Sequence, residues 1–199
     1  MQKGKIIFLN GISSAGKSTL AKKLQERLVE PYYHISVDRF FDIGPQKYMD
    51  SNPGQTVSIA LTAMNHTIKT YVDIGINVIV DTVLLKDDAK EYTITGLDTL
   101  DECVALLHEY EVLFVLVSCP IDEIRRREKE RGRAEFMSEN QLPLLNPQNT
   151  YDITVDTTNE KCVDEILYAL NCPENFKAFN ILWSQRVKLY FAIQPCQCC

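Results

Sequence analysis

The sequence predicts an α/β fold, a parallel sheet wrapped by helices. Five short β-type runs, at residues 5–10, 33–37, 77–80, 112–117 and 151–155, alternate with longer stretches of helical periodicity. The first run leads straight into a glycine-rich loop and then an amphipathic helix. The chain has 199 residues, 45% of them hydrophobic, enough for one domain with a full core and room for a lid or a tail.

The elements follow in order. Residues 5–10 (KIIFLN) form the first strand. Residues 17–29 form a helix, with Leu20, Ala21, Leu24 and Leu28 at helical spacing. Pro31 marks a loop before the second strand, residues 33–37 (YHISV). Residues 44–54 (GPQKYMDSNPG) carry the turn chemistry of an exposed loop. Residues 56–74 read as a long helix through Ile59, Ala63, Ile68 and Val72, with Gly75 as its cap. Residues 77–80 form a buried strand that ends on Asp81. A helix over 97–110 precedes the fourth strand, 112–117. A charged helix over 121–131 stops at Gly132, strand five spans 151–155, and a helix spans 159–170. Pro173 opens a segment whose residues 174–192 suit one more helix, held by Phe176, Phe179, Leu182 and Trp183. The domain division is therefore 1–172, with a lid at about 120–145, and a tail at 173–199.

Charge and cysteine usage narrow the class of function. Lys and Arg number 21 against 27 Asp and Glu, a net charge of −6, which argues against a general nucleic-acid binder. No apolar stretch approaches a membrane helix, and the first residues lack a secretory signal, so a cytoplasmic location is expected. Cys103, Cys119, Cys162 and Cys172 read as small core residues of a reducing compartment. Cys196, Cys198 and Cys199 end the chain in an arrangement similar to lipidated termini, although Gln197 and Cys198 are not an aliphatic pair. A membrane partner is expected only if they are lipidated; a disordered end is the plainer reading. His34, His66 and His108 are too scattered for a metal cage.

Gly11-Ile12-Ser13-Ser14-Ala15-Gly16-Lys17-Ser18 is a G-x-x-x-x-G-K-S phosphate loop set between a strand and a helix. Glycines there let successive N–H groups converge on an anion, and the helix start adds its unpaired donors and positive dipole end. The loop is expected to hold ATP through Gly11, Ser13, Ser14, Ala15 and Gly16. Lys17 supplies a point charge at the β- and γ-phosphates, Ser18 a hydroxyl for Mg²⁺, and Thr19 help at the α-phosphate. Asp81, delivered by a buried strand to the sheet's C-terminal edge, holds Mg²⁺ through water, hydrogen-bonds Ser18, or caps the next loop. Asp38, at the end of the second strand, is placed to accept a hydroxyl proton across the cleft, or to cap a following helix. Arg125, Arg126, Arg127, Lys129, Arg131 and Arg133 form a basic cluster interleaved with Glu128 and Glu130. Most of it reads as a solvated, ion-paired face; Arg127 and Arg133 are the candidates for stabilising a transferring phosphate.

The chain resembles the chloramphenicol phosphotransferase family. The likeness runs through residues 6–25 (IIFLNGISSAGKSTLAKKLQ), 30–40 (EPYYHISVDRF), 78–85 (VIVDTVLL), 112–133 and 151–158 (YDITVDTT). The resemblance implies a P-loop NTPase with a five-stranded parallel sheet of the nucleoside-monophosphate-kinase type and an Arg-rich lid. It also implies MgATP-dependent phosphorylation of a small hydroxylated acceptor. The family's base falls on Asp38, its loop residues on Lys17 and Ser18, and its lid arginine is similar in position to Arg133. Residues 156–158, Thr157 among them, fall near the adenine. Thr82 stands where the family often carries a second acidic residue. Kinases of a nucleotide, sugar nucleotide or other metabolite, and an ATP-dependent binding module without transfer, fit the same loop.

Overall fold

The computed structural model describes residues 2–85, 97–132, 137–145 and 150–188. Its sheet has five strands, β1 (Ile6–Asn10), β2 (Tyr32–Ser36), β3 (Asn77–Thr82), β4 (Val112–Ser118) and β5 (Ile153–Asp156), in the order β2-β3-β1-β4-β5. Every pairing is parallel. Such a sheet is covered on both faces, so its strands read as continuous apolar runs. All five residues of β1 are buried.

Alternation along the strands divides the core in two. Ile6, Phe8, Val78, Val80, Val112 and Phe114 face α4 (Pro53–Asp73), α5 (Thr99–Leu107) and α9 (Ala178–Leu182). Ile7, Leu9, Ile79, Leu113 and Val115 face α1 (Lys17–Arg27) and α8 (Cys162–Leu170). Phe114 meets Phe8 and Phe179 edge-on, with ring centroids 5.6 and 5.0 Å away. Cys103 and Cys162 are buried, while Cys119 and Cys172 are half-buried.

The expected loop at 44–54 is instead the helix α3 (Gln46–Ser51), running into α4 after a break at Asn52. The turn-forming residues flank the helix rather than dissolve it. Pro45 precedes α3, and Pro53 occupies the first turn of α4, where its missing N–H costs nothing. α2 (Asp38–Phe41) directly follows β2. Gly75 and Gly132 end α4 and α6 (Ile121–Glu130) with φ of 86° and 62°.

The single helix expected over 174–192 is broken. A 3₁₀ turn at Pro173–Asn175 is followed by α9 and a π-helical turn at Trp183–Val187. The cause is distant in sequence. One oxygen of Asp152 accepts the N–H groups of Lys177 and Ala178 at 2.7 and 2.9 Å, setting where α9 starts. Phe179, Leu182 and Val187 are then buried against the sheet, and Arg186 bonds Asp98, the cap of α5, and Asp101 in its first turn. Phe176 packs with the other core cluster, on the opposite face. Residues 189–199, with the terminal cysteines, lie outside the described residues. Among the described residues no helix is long and apolar enough to cross a membrane.

Two tyrosines, Tyr32 buried and Tyr151 half-buried, tie stability to alkaline pH. Burial, helped by the charges of Glu30 and Glu111, pushes Tyr32 up to about 12. Burial pushes Tyr151 up to about 12 against the opposing hydrogen bond from Asn10. A folded-state value above the unfolded one of 10.0 gives stability fully present below pH 10 and lost as pH rises toward 12. Each tyrosine accounts for about 3 kcal/mol at most. Stability followed by thermal melting is expected to fall steeply across that window, and less steeply in Tyr151→Phe.

Candidate active site

The phosphate loop lies between β1 and α1, at the C-terminal edge of the sheet. Ser14 and Gly16 take φ of 60° and 98°, the left-handed turns that bring neighbouring N–H groups inward. Gly16 answers a double demand. A Cβ there would lie 3.1 Å from Arg127 Nη1 and 3.2 Å from Thr157 Oγ1. Lys17 opens α1 and is only 7% exposed; its Nζ donates to the carbonyls of Gly11 and Ile12, both at 2.9 Å.

Register brings the carboxylates to the loop. Ser36 pairs with Asp81 across β2 and β3, and Leu9 pairs with Asp81 across β1 and β3. Val37 N–H donates to the Asp81 carbonyl at 3.3 Å, and Asp38 begins α2 just beyond. A cleft of about 80 Å³ results, and Ser13, Ser14, Gly16, Lys17, Ser18, Thr19, Asp38, Asp81 and Arg131 all contribute to its lining. Asp81 is 4% exposed, and its Oδ2 sits 3.5 Å from His34 Nε2, beyond a good hydrogen bond. Burial alone would raise the Asp81 carboxyl. His34, the Lys17 charge and Ser18 together outweigh burial and hold it below its ordinary range. Asp81 is therefore an anion at neutral pH.

Arg127 and Thr157 meet the loop from its other side. Arg127 Nη1 donates to Ser14 O at 3.2 Å and to Thr157 Oγ1 at 3.3 Å, and Thr157 Oγ1 donates to Ala15 O at 2.7 Å. These residues line an adjoining groove of about 260 Å³ with Gly16, Thr19, Lys23 and Glu123. The structure thus separates Arg127 from the cleft that holds Asp38, and Arg131 lines both. Arg133 lies outside the described residues. The remaining arginines of the cluster are ion-paired at the surface. Arg125 bonds Glu139 at 2.7 Å, and Arg126 bonds Glu123 and Glu130. Glu123 is drawn down to about 2 by its bonds to Arg126 and Arg127.

Sequence reasoning missed Glu128, Ser138 and Gln141. Glu128, read as part of a solvated face, is 3% exposed and accepts from Ser138 N–H at 3.1 Å and from the Ser138 hydroxyl. Its spacing of four from the buried Ile124 was the available signal. Ser138 belongs to α7 (Met137–Gln141), and its Oγ lies 2.9 Å from Ser13 O. Gln141 Oε1 accepts from Ser13 N–H at 2.8 Å. No local pattern marks that pairing, because 128 positions separate the partners.

The fold and the loop define a P-loop small-molecule kinase. The chain belongs to the chloramphenicol phosphotransferase-like protein family, whose sequence model matches residues 4–171. A protein of Mycobacterium tuberculosis described as an O-phosphotransferase is 29% identical over 183 residues, covering 79% of this chain and 77% of its own. In solved structures, a sugar kinase from Janibacter sp. superposes with a TM-score of 0.62 at 17% identity, covering 86% of this chain and 98% of that one. The Mycobacterium tuberculosis APS kinase, in complex with AMPPNP and APS, superposes with a TM-score of 0.59 at 16% identity, covering 86% and 99%. At these identities the two structures speak for the fold alone.

Proposed function

We propose that the protein transfers the γ-phosphate of MgATP to a hydroxyl of a small molecule, as an O-phosphotransferase of the chloramphenicol phosphotransferase type. One observation carries this reading: Asp38 lines the same cleft as Lys17, Ser18 and Asp81. A carboxylate that accepts a hydroxyl proton thereby stands beside a loop suited to a triphosphate.

Phosphoryl transfer asks the protein for positioning and electrostatics more than for covalent chemistry. The amides from Ser13 to Thr19 and the start of α1 hold the phosphate oxygens. Lys17 exchanges its bonds to the Gly11 and Ile12 carbonyls for the β- and γ-phosphates. Asp38 takes the proton of the acceptor hydroxyl as its oxygen bonds to the γ-phosphorus. The bond from that phosphorus to the bridging oxygen breaks, and ADP leaves. Arg127 and Thr157 line the adjoining groove, which we take as the adenine side. Of the two arginines expected to stabilise charge on the transferring group, Arg133 stays a candidate, and Arg131, which lines the cleft with Asp38, takes the place of Arg127.

The residues fit Mg²⁺. Asp81 Oδ2 is buried with no hydrogen-bond partner among the described residues, and Ser18 shares its cleft, so two oxygen ligands suited to a hard cation converge there. Ser18 and Asp81 would hold the ion, which when bound neutralises charge on the β- and γ-phosphates.

Incubation with γ-labelled ATP and a panel of hydroxylated compounds, chloramphenicol among them, tests the reading. Label on an alcohol oxygen, dependent on magnesium, is the expected result. Binding of ATP with no label on any alcohol, or label on another class of group, would sink it.

A further inference from the structure

We propose that Gln141 gates the phosphate site: its side-chain carbonyl competes with a phosphate oxygen of the incoming nucleotide for the Ser13 N–H. The inference rests on the nucleotide reading of the loop given above, and adds to it a residue outside the loop that sets affinity.

The contact is well made. Oε1 of Gln141 accepts from Ser13 N–H at 2.8 Å, within the range of a good N–H···O bond. Ser13 lies in the stretch of loop whose amides would face a triphosphate, and it lines the same cleft as Lys17 and Asp38. An amide carbonyl oxygen is a neutral counterpart of a phosphate oxygen, so one N–H serves one or the other.

The helix that carries Gln141 is held in register by further contacts. Ser138 Oγ lies 2.9 Å from Ser13 O and beside Glu128 Oε1, so its one proton serves two acceptors. Glu128 also takes the Ser138 N–H. Arg125 forms a two-pronged bond to Glu139, at 2.7 and 3.1 Å. Leu145, just past α7, bridges Leu85 beyond β3 in antiparallel fashion. Gln141 and Ser138 together grip the N–H and the C=O of Ser13, and the glutamine needs little further ordering to hold its bond. A preorganised competitor is displaced at a larger cost than a free one.

The chemistry separates two variants. Gln141→Ala removes the competitor and leaves the Ser138–Glu128 contacts in place. Gln141→Glu puts a carboxylate on the same donor, strengthens that bond and repels the triphosphate.

Calorimetric titration with magnesium and a non-hydrolysable ATP analogue, using the full-length chain, tests the gate. Gln141→Ala is expected to bind the analogue roughly two- to tenfold tighter than the unaltered protein, the worth of one neutral hydrogen bond. Gln141→Glu is expected to bind more weakly, with a deficit that shrinks as salt is added. Amide exchange at Ser13, measured without nucleotide, is expected to speed up in Gln141→Ala. Equal or weaker binding by Gln141→Ala, or unchanged exchange at Ser13, overturns the gate while leaving the nucleotide reading standing. Absence of binding by every form, unaltered protein included, overturns both.

Discussion

Asp38→Asn is expected to lower phosphoryl transfer by about 10²- to 10⁴-fold, the usual worth of a positioned general base. Asparagine keeps the shape of aspartate and its hydrogen-bonding reach, but its amide does not take up a proton in this pH range. The acceptor hydroxyl then attacks without a base to receive its proton. ATP affinity is expected to stay within a few-fold, because the proposed phosphate contacts come from the loop amides and Lys17. Stability is expected to change little: no residue of α2 is buried, and asparagine serves a helix start as well as aspartate does. Steady-state kinetics paired with nucleotide titration checks both halves. Turnover close to that of the unaltered protein would remove Asp38 from the mechanism. Loss of ATP binding together with turnover would move its role to the nucleotide. An ATP-dependent binding module without transfer predicts no kinetic effect, so this one substitution separates the two classes of function.

Gly11→Ala is expected to damage both the fold and the nucleotide site. A Cβ on Gly11 would stand 2.4 Å from the carbonyl oxygen of Val117 and 3.3 Å from its carbonyl carbon. Both are backbone atoms of β4, a central strand hydrogen-bonded to β1 and β5, and Val117 is buried. No flexible side chain is available to move aside. Either the end of β1 separates from β4 or the loop lifts. Overpacking of this kind costs about 1–3 kcal/mol. A shift of about 1 Å in the loop amides is enough to cost on the order of 10²-fold in a positioned reaction. Urea unfolding is expected to show reduced stability, and nucleotide titration a loss of at least tenfold in affinity. Normal values in both would mean that the loop start has slack these packing distances do not show.

Much of this architecture is legible along the chain, and the reason is local chemistry. A buried parallel strand needs apolar residues in succession, so IIFL, VIV and VLFVLV announce β1, β3 and β4 without help from elsewhere. The phosphate loop is legible because its backbone turns are built from neighbours in sequence. Gly16 and Ser14 take the left-handed turns, and the helix begins one residue later. Gly75 and Gly132 mark helix ends for the same reason. Asp38 and Asp81 stand out because Asp81 lies at the C-terminal end of β3 and Asp38 just beyond that of β2, at the sheet edge where ligands of α/β sheets bind.

Residues 44–54 and 174–192 read differently in isolation because the deciding contacts come from elsewhere. Pro53 suits a turn or a first helical turn equally well, and the packing of α4 selects the second. Asp152, 26 positions before Ala178, sets where α9 begins. The arginine cluster shows the same limit. Spacing marks Arg125, Arg126 and Arg127 as alike. Arg127 alone of the three reaches the loop, because α6 turns it toward Ser14 and Thr157 while the others meet carboxylates at the surface.

Local chain chemistry therefore suffices for the sheet, the phosphate loop and the two carboxylates, since each is a property of a few adjacent residues and the dihedral angles they allow. The separation of Arg127 from Asp38, the burial of Glu128 and the hold of Gln141 on Ser13 arise only when the chain closes on itself. Hydrogen bonds between segments more than a hundred residues apart obey no local periodicity; distance and angle in the packed molecule select their partners.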